Sequence, residues 1–189
     1  MNKSNHGIPS CLRRSGAQRR GGGSRITVHA ALLAALTGCA AQGTGTPPAV
    51  PANLRAPASQ ALALETAATG VQIYECRAGK WDFKGPEADL FDRAGNKVGK
   101  HYGGPTWESY DGSKVVAALT ARSDAPNAGA IPWLLLSAKS NAGNGVFGQT
   151  KSIQRVATVG GTTPPEPCGQ ADAGKVARVA YQAVYYFYQ

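Results

Sequence analysis

Two groups of side chains in this sequence have the chemistry to react or to bind a ligand. The first is a set of four cysteines in three settings: Cys11 in a basic tail, Cys39 at the end of an apolar run, and Cys76 and Cys168 far downstream. The second is a short polar and aromatic cluster that begins at His101. A thiol behind an apolar run suits covalent attachment of lipid, whereas two cysteines in one domain suit a disulfide.

The polar and aromatic cluster consists of His101, Tyr102, Trp107, Glu108 and Asp111, with a Gly-Gly-Pro sequence in its middle. A sharp turn there would gather these side chains at one end of a sheet. Trp107 and Tyr102 would then stack on a sugar or an apolar ligand. His101 would donate a hydrogen bond or act as a general base, oriented by Glu108 or Asp111. His101 and Asp111 are therefore the candidate catalytic residues, and all five are candidate ligand-binding residues.

A purely structural interpretation of the same cluster is favoured by ordinary residue statistics. In it, His101 is a satisfied core histidine and Trp107 fills the end of the core. Asp111 accepts backbone N–H bonds within its own turn. The two interpretations differ in whether an open cleft lies beside His101.

The first 38 residues predict an exported protein. A basic region reaches Arg25, the apolar run Ile26–Thr37 follows, and small residues precede Cys39. This order is typical of a secretory signal peptide, and the run is too short to span a membrane. The ending Leu36-Thr37-Gly38-Cys39 resembles the lipobox of bacterial lipoproteins, which implies that Cys39 is lipidated and becomes the new amino terminus. The alternative is an ordinary signal peptide with a chance cysteine.

The distribution of charge along the chain indicates an export signal and not a nucleic-acid partner. Six basic side chains and no acidic one lie in residues 1–38, and the remaining 14 basic side chains nearly balance 11 acidic ones. We therefore expect no nucleic-acid binding. Ala40 behind the lipidated cysteine implies, by analogy with lipoproteins, anchoring in the outer membrane of the cell envelope, facing the periplasm or the cell surface.

The sequence also argues against several classes of enzyme. His6 and His29 lie in the signal peptide, so the mature chain keeps only His101, and a multi-histidine metal site is excluded. Neither a nucleophile-elbow motif nor a phosphate-binding or dinucleotide-binding glycine loop is present. We expect no metal and no cofactor.

Downstream of Cys39 the sequence predicts a tether over residues 39–57 and a β-rich domain over 58–189. The tether is rich in proline and glycine, whereas the domain has short alternating runs separated by turn signals. The fold class is mainly β: an antiparallel β-sandwich or a closed β-barrel, with at most one short helix, at Ser59–Ala68. The uncharged run near the C-terminus predicts a central strand. Four tyrosines of this run form either an aromatic surface that binds a ligand or a layer that covers a barrel with its hydroxyls reaching water: Tyr181, Tyr185, Tyr186 and Tyr188.

Cys76 and Cys168 are predicted to form a disulfide, because they are the two cysteines left in the domain of an exported chain. A link between positions so far apart would stabilise the domain by at most roughly 4–5 kcal/mol in the chain-entropy model, since strain and residual structure in the unfolded chain subtract from this figure.

Several segments together resemble a family known only as domain of unknown function 3455. They occur in the family's order over residues 48–189: GVQIYEC, GKHYGGPTW, YDGSKV, IPWLLLSAKS, SIQRVATVGG and YQAVYYFY. The resemblance implies a secreted or envelope domain with cysteines at the positions of Cys76 and Cys168, and it brings no agreed activity. It also implies that the following are motif positions: His101, Gly104, Pro105, Trp107, Asp111 and Gly112.

Two functional hypotheses follow. The first is a lipid-anchored envelope protein that is not an enzyme and binds a small ligand, a glycan or an envelope protein. The second is a hydrolase or lyase that uses His101 as general base.

Overall fold

The computed structural model describes residues 46–189, in which eight strands account for the regular structure. Two short 3₁₀ turns, Ala52–Leu54 and Gln170–Asp172, are the helical segments of this part of the chain. The strands are β1 (Leu62–Arg77), β2 (Lys80–Phe91), β3 (Lys97–Tyr102), β4 (Thr106–Ser109), β5 (Lys114–Ser123), β6 (Trp133–Ala142), β7 (Ser152–Gly160) and β8 (Val176–Tyr188). Within residues 46–189, no helix has both the length and the apolar character needed to cross a membrane.

Each strand pairs antiparallel with the next along the chain, and β8 pairs with β1 to close a barrel. The mainly β prediction is therefore confirmed, and of its two architectures the closed barrel is the observed one. The C-terminal strand is paired on both sides, as predicted: Tyr185 lies opposite Thr66 on β1 and opposite Arg155 on β7. Closure leaves the long apolar β8 without a free edge.

The core lies inside the barrel because alternate residues of each strand face inward. On β8 the buried positions follow this period of two, at Tyr181, Ala183, Tyr185 and Phe187. Eight strands enclose a space that side chains can fill or that can hold one small ligand. The aromatic side chains of β8 therefore decide how much of the interior is left empty.

The predicted helix at Ser59–Ala68 is wrong, because β1 begins inside it at Leu62. Leu62, Thr66 and Ala68 are buried and lie in register with β8. Leucine, alanine and glutamate favour helices in isolation, but pairing along all of β8 outweighs that local preference.

The two ends of the barrel differ in their connections. One end, the mouth, carries the turns at residues 78–79, 103–105, 124–132 and 161–175. The other, the closed end, carries those at 92–96, 110–113 and 143–151. Phe147 lies in the last of these turns, is 1% exposed, and contacts Phe187 with ring centroids 4.7 Å apart. It fills the closed end.

A disulfide joins Cys76 at the end of β1 to Cys168 in the 161–175 connection, with Cα atoms 5.9 Å apart. The predicted pairing is confirmed. The link fixes the longest connection of the mouth to the barrel wall, and Tyr74 supports it by donating a hydrogen bond of 2.7 Å to the Gly161 carbonyl.

The C-terminal part of the predicted tether lies against the barrel. Leu54 is fully buried, and its carbonyl accepts a hydrogen bond of 2.6 Å from the Gln154 amide. Asn53 donates to the carbonyl of Arg122 at 3.1 Å. The described part of this segment contains no strand, and Asn53 and Leu54 attach it to the barrel.

Candidate functional site: a cavity at the mouth of the barrel

A cavity of about 220 Å³ lies at the mouth, where residues of seven strands, β2 to β8, and of the β3–β4 turn meet. Its lining is mostly apolar and contains two cationic side chains and no acidic one. The lining residues are Phe83, Lys84, Gly85, Pro86, His101, Gly104, Pro105, Trp107, Leu119, Leu134, Leu136, Arg155 and Tyr185. A small apolar chamber with a few polar groups is the usual form of a ligand site.

Three aromatic rings form the floor of this cavity. Strand pairing sets His101 opposite Trp107, and their rings stack with centroids 4.2 Å apart and planes 12° apart. Tyr185 meets both edge-on, at 5.1 Å from His101 and 5.3 Å from Trp107. Such pairs are mutually stabilising and hold each ring in one orientation. The floor is therefore rigid and already formed.

The Gly-Gly-Pro sequence forms the sharp turn between β3 and β4, as its composition predicts. Gly104 has a φ of +100°, in the region that favours glycine. The turn lets the two short strands run back on each other, and this reversal places His101 beside Trp107.

His101 is held as a neutral imidazole. It is 3% exposed, and its Nδ1 lies 2.8 Å from the Thr106 carbonyl oxygen. Because a carbonyl only accepts, Nδ1 carries the proton. Burial lowers the pKa of His101 to about 3, and the positive charge of Arg155 acts in the same direction. No carboxylate is among the hydrogen-bond partners of this ring.

Tyr102 and Glu108 lie on the outside of the barrel, because neighbours along a strand face opposite sides. The Tyr102 hydroxyl donates a hydrogen bond to Glu108 Oε2. This bond raises the pKa of Tyr102. Two of the predicted ligand-binding residues are thus joined to each other and not to the cavity.

Asp111 lies at the closed end and organises two turns. Its Oδ1 accepts from the Ser113 N–H at 2.8 Å and the Ser113 hydroxyl at 2.6 Å, and its Oδ2 accepts from the Val146 N–H at 2.9 Å. These bonds, that of the Ser113 side chain first, lower the pKa of Asp111 to about 2. A Cβ on Gly145 would lie 2.1 Å from Oδ2, so glycine is required there. The structure does not bring Asp111 to His101.

The structure adds Arg155 and Tyr185 to the candidate site, neither of which the local sequence pattern of the cluster indicates. Arg155 is partly buried, and its Nε and Nη2 donate to the Pro132 carbonyl at 3.2 and 2.8 Å. On β7, Arg155 lies two residues after the buried Ile153, and this spacing places both side chains on the inward side of the strand. Tyr185 belongs to the same inward face of β8 as Phe187.

One buried donor of the floor, Trp107 Nε1, has no hydrogen-bond partner among the described residues. The hydroxyls of Tyr181 and Tyr185 and the guanidinium of Arg155 face one another and interact, without a hydrogen bond of good geometry between them. Burial raises the pKa of Tyr185, and the positive charge of Arg155 partly offsets this rise.

Among the described residues, no three or more His, Cys, Asp or Glu side chains are arranged to hold a metal ion. The polar side-chain groups of the cavity are a guanidinium, an ammonium, a neutral imidazole, an indole N–H and one tyrosine hydroxyl. These are mainly hydrogen-bond donors, which suit an acceptor or an anion.

Fold and site together define a class: a closed, eight-stranded antiparallel barrel whose β strands follow one another around the wall, with an apolar, donor-rich cavity at its mouth. The chain belongs to the family described as a protein of unknown function (DUF3455), whose model matches residues 57–189. The match covers the whole barrel and begins just before β1. No curated protein and no solved structure matches the chain.

Proposed function

We propose that this protein is an exported lipoprotein, anchored in the cell envelope through Cys39, whose barrel holds a small, mainly apolar ligand at its mouth. The observation that carries the binding proposal is a preformed, mostly apolar cavity whose lining includes hydrogen-bond donors of Arg155, Tyr185 and Trp107. Eight-stranded barrels are wide enough for one small ligand. A ligand with an apolar body and a hydrogen-bond acceptor matches this lining.

Exposed apolar side chains at the rim of the cavity support the same proposal. Phe83 is 54% exposed and Leu119 is 57% exposed, and both line the cavity. Large apolar side chains in water at the entrance of an apolar chamber are typical of a surface that is covered when a ligand is bound.

The hydrolase or lyase alternative receives no support from the geometry. A general base works best with a pKa near the operating pH, whereas that of His101 is lowered to about 3. The imidazole is stacked on Trp107 and bonded to a backbone carbonyl, and neither Glu108 nor Asp111 is its partner.

The binding proposal is tested with small probes that match the cavity: octanoate, octanamide, 1-octanol and indole. We expect at least one of them to raise the melting temperature of the oxidised barrel. Leu119→Trp places a large ring at the rim and should abolish the shift. Val159→Trp, at another exposed position, on β7 and outside the cavity lining, is the matched control and should keep it. The binding proposal fails if no probe stabilises the protein, or if Leu119→Trp responds as the wild type does.

The anchoring proposal is tested by expressing the full chain in a bacterium that matures lipoproteins. We expect the membrane-bound product to begin at Cys39 and to carry acyl chains by mass spectrometry, since two or more chains give stable anchoring. Cys39→Ser should abolish acylation, and Cys11→Ser should leave it unchanged. A product from the cytosol that retains residues 1–38 without lipid would contradict it.

A further inference from the structure

Arg155 is the one feature of the cavity that an apolar ligand alone does not explain. Its guanidinium is partly buried on the inward side of β7, opposite Tyr185. In the described part of the chain, no carboxylate lies within 4.0 Å of it. It donates to the carbonyl of Pro132 and also interacts with the Tyr185 hydroxyl, two neutral groups that offset only part of the cost of taking a charge out of water.

The other cation of the cavity is already paired. Lys84 Nζ lies 3.0 Å from Glu75 Oε2 on the neighbouring strand. Because the lining has no acidic side chain, one positive charge at the mouth lacks a counterion. Proteins pair buried charges, and a guanidinium pairs best with a planar carboxylate.

The Tyr185 hydroxyl supplies a second donor for the same ligand atom. This side chain is fully buried and lines the cavity, and its hydroxyl interacts with Tyr181 and Arg155 without a hydrogen bond of good geometry to either. A carboxylate beside Arg155 would accept from the guanidinium and from this hydroxyl together, which satisfies both groups. No other acceptor in the cavity lining does so.

We propose that the cavity binds a small monocarboxylate with an apolar tail. The carboxylate lies against Arg155 and Tyr185, and the tail lies among Leu119, Leu134 and Pro105 towards the rim. This inference rests on the proposed ligand-binding function and adds the class of ligand. One unpaired cation matches one negative charge, and a chamber of about 220 Å³ lies below the usual 300–1,000 Å³ of ligand pockets, which limits the tail to a short one.

The test compares octanoate with octanamide, which has the same tail and a neutral head, by isothermal titration at pH 7.5. We expect octanoate to bind at least about tenfold more tightly, since hydrogen bonds to charged groups are the stronger ones. Acetate, which has the head without the tail, should show no saturable binding at the same concentrations.

Two variants at the same mouth locate the effect. Arg155→Met should abolish the preference for octanoate over octanamide while octanamide still binds. Lys84→Met removes the paired cation and should leave the preference in place. If Arg155→Met does not fold, Tyr185→Phe serves as the second test of the same assignment. It should reduce octanoate affinity severalfold and leave octanamide affinity within about twofold, since a neutral amide gains less from that donor.

The outcomes separate this inference from the function on which it rests. Equal binding of octanoate and octanamide would overturn the carboxylate preference and leave an apolar ligand site. A preference that survives both Arg155→Met and Tyr185→Phe would overturn the assignment of these residues. Absence of binding by all four probes, octanoate included, would overturn the ligand site itself.

Discussion

The two ends of this barrel are built from the same strands, yet one is filled by a buried side chain and the other holds a cavity. At the closed end, Asp111 and Ser113 bond to each other, and the Ser113 hydroxyl accepts from the Phe147 N–H at 3.0 Å. Asn141 donates to the carbonyls of Phe147 and Thr150. At the mouth, by contrast, Tyr185 and Arg155 line a cavity that has no acidic side chain in its wall.

The difference teaches where stability and function are placed in the molecule. A buried aromatic side chain and the turns bonded around it stabilise the closed end, whereas a cavity lined by apolar groups and hydrogen-bond donors gives the mouth room for a ligand. The comparison can be tested end against end with matched substitutions, beginning with those of largest effect.

The largest loss of stability is expected from Phe147→Ala at the closed end. Removing a fully buried phenylalanine costs about 3–5 kcal/mol of unfolding free energy. The matched change at the mouth, Phe83→Ala, removes a ring that is 54% exposed and should cost less than about 1 kcal/mol. Chemical denaturation of both variants measures the difference. Equal losses would show that the two ends contribute alike to the fold.

Loss of the disulfide ranks second. The double change Cys76→Ala and Cys168→Ala should lower the unfolding free energy by about 2–4 kcal/mol, because the unfolded chain is no longer cross-linked. Denaturation curves with and without a reducing agent provide the measurement. The wild type should move to the variant's midpoint when reduced, and the variant should not respond. A variant that is itself sensitive to reductant would contradict this account.

Acid should weaken the wild type through His101. The folded pKa is about 3 and the ordinary value is 6.5, so between these values the unfolded state binds more protons. Stability is therefore complete above pH 6.5 and falls as the pH drops toward 3, by at most about 1.4 kcal/mol per pH unit. His101→Phe keeps a stacking ring and should flatten this dependence between pH 7 and 4.5. Asp111 stays ionised over that range because its pKa is lowered to about 2. Parallel curves for the two proteins would rule His101 out as the cause.

The smallest effect has the opposite sign. Tyr185→Phe removes a buried hydroxyl that makes no hydrogen bond of good geometry, and without ligand it should leave the protein equally stable or more stable by up to about 1 kcal/mol. Tyr74→Phe at the same mouth breaks the bond to the Gly161 carbonyl and should destabilise by about 1 kcal/mol. Thermal unfolding without ligand compares the two. If Tyr185→Phe is the more damaging change, its hydroxyl has a partner within the protein.

Features that depend on a few residues, such as a turn or the disulfide, were predictable from the sequence. The turn after β2 contains a glycine with positive φ, Gly95, and Asp92 accepts there from the backbone N–H groups of Ala94 and Asn96, both ordinary turn chemistry. The disulfide follows from a count of cysteines. Whether the fold is a barrel or a sandwich depends, in contrast, on whether β8 pairs with β1, two strands at opposite ends of the domain sequence. Local alternation is the same in both architectures, so no short segment carries that information.

The site was predictable only in part. Alternate residues of a strand face opposite sides of the barrel, and this alternation explains which side chains could be predicted to meet. His101 and Trp107 flank a tight turn and face each other, so their proximity follows from the turn. Glu108 is next to Trp107 and must therefore face the other way, which a period of two already implies. Arg155 was not predicted, because a lone arginine in a strand usually lies on the solvent side and only barrel closure reveals which side of β7 is inward.

The buried imidazole at the floor has a consequence for how the chamber would behave when its surroundings become acidic. Most histidines gain a proton slightly above pH 6 and change the charge of the pocket they line. This one stays uncharged in mild acid, since its pKa is about 3. Mild acid would therefore leave the His101 imidazole uncharged, and release of a bound carboxylate ligand would depend on protonation of that ligand.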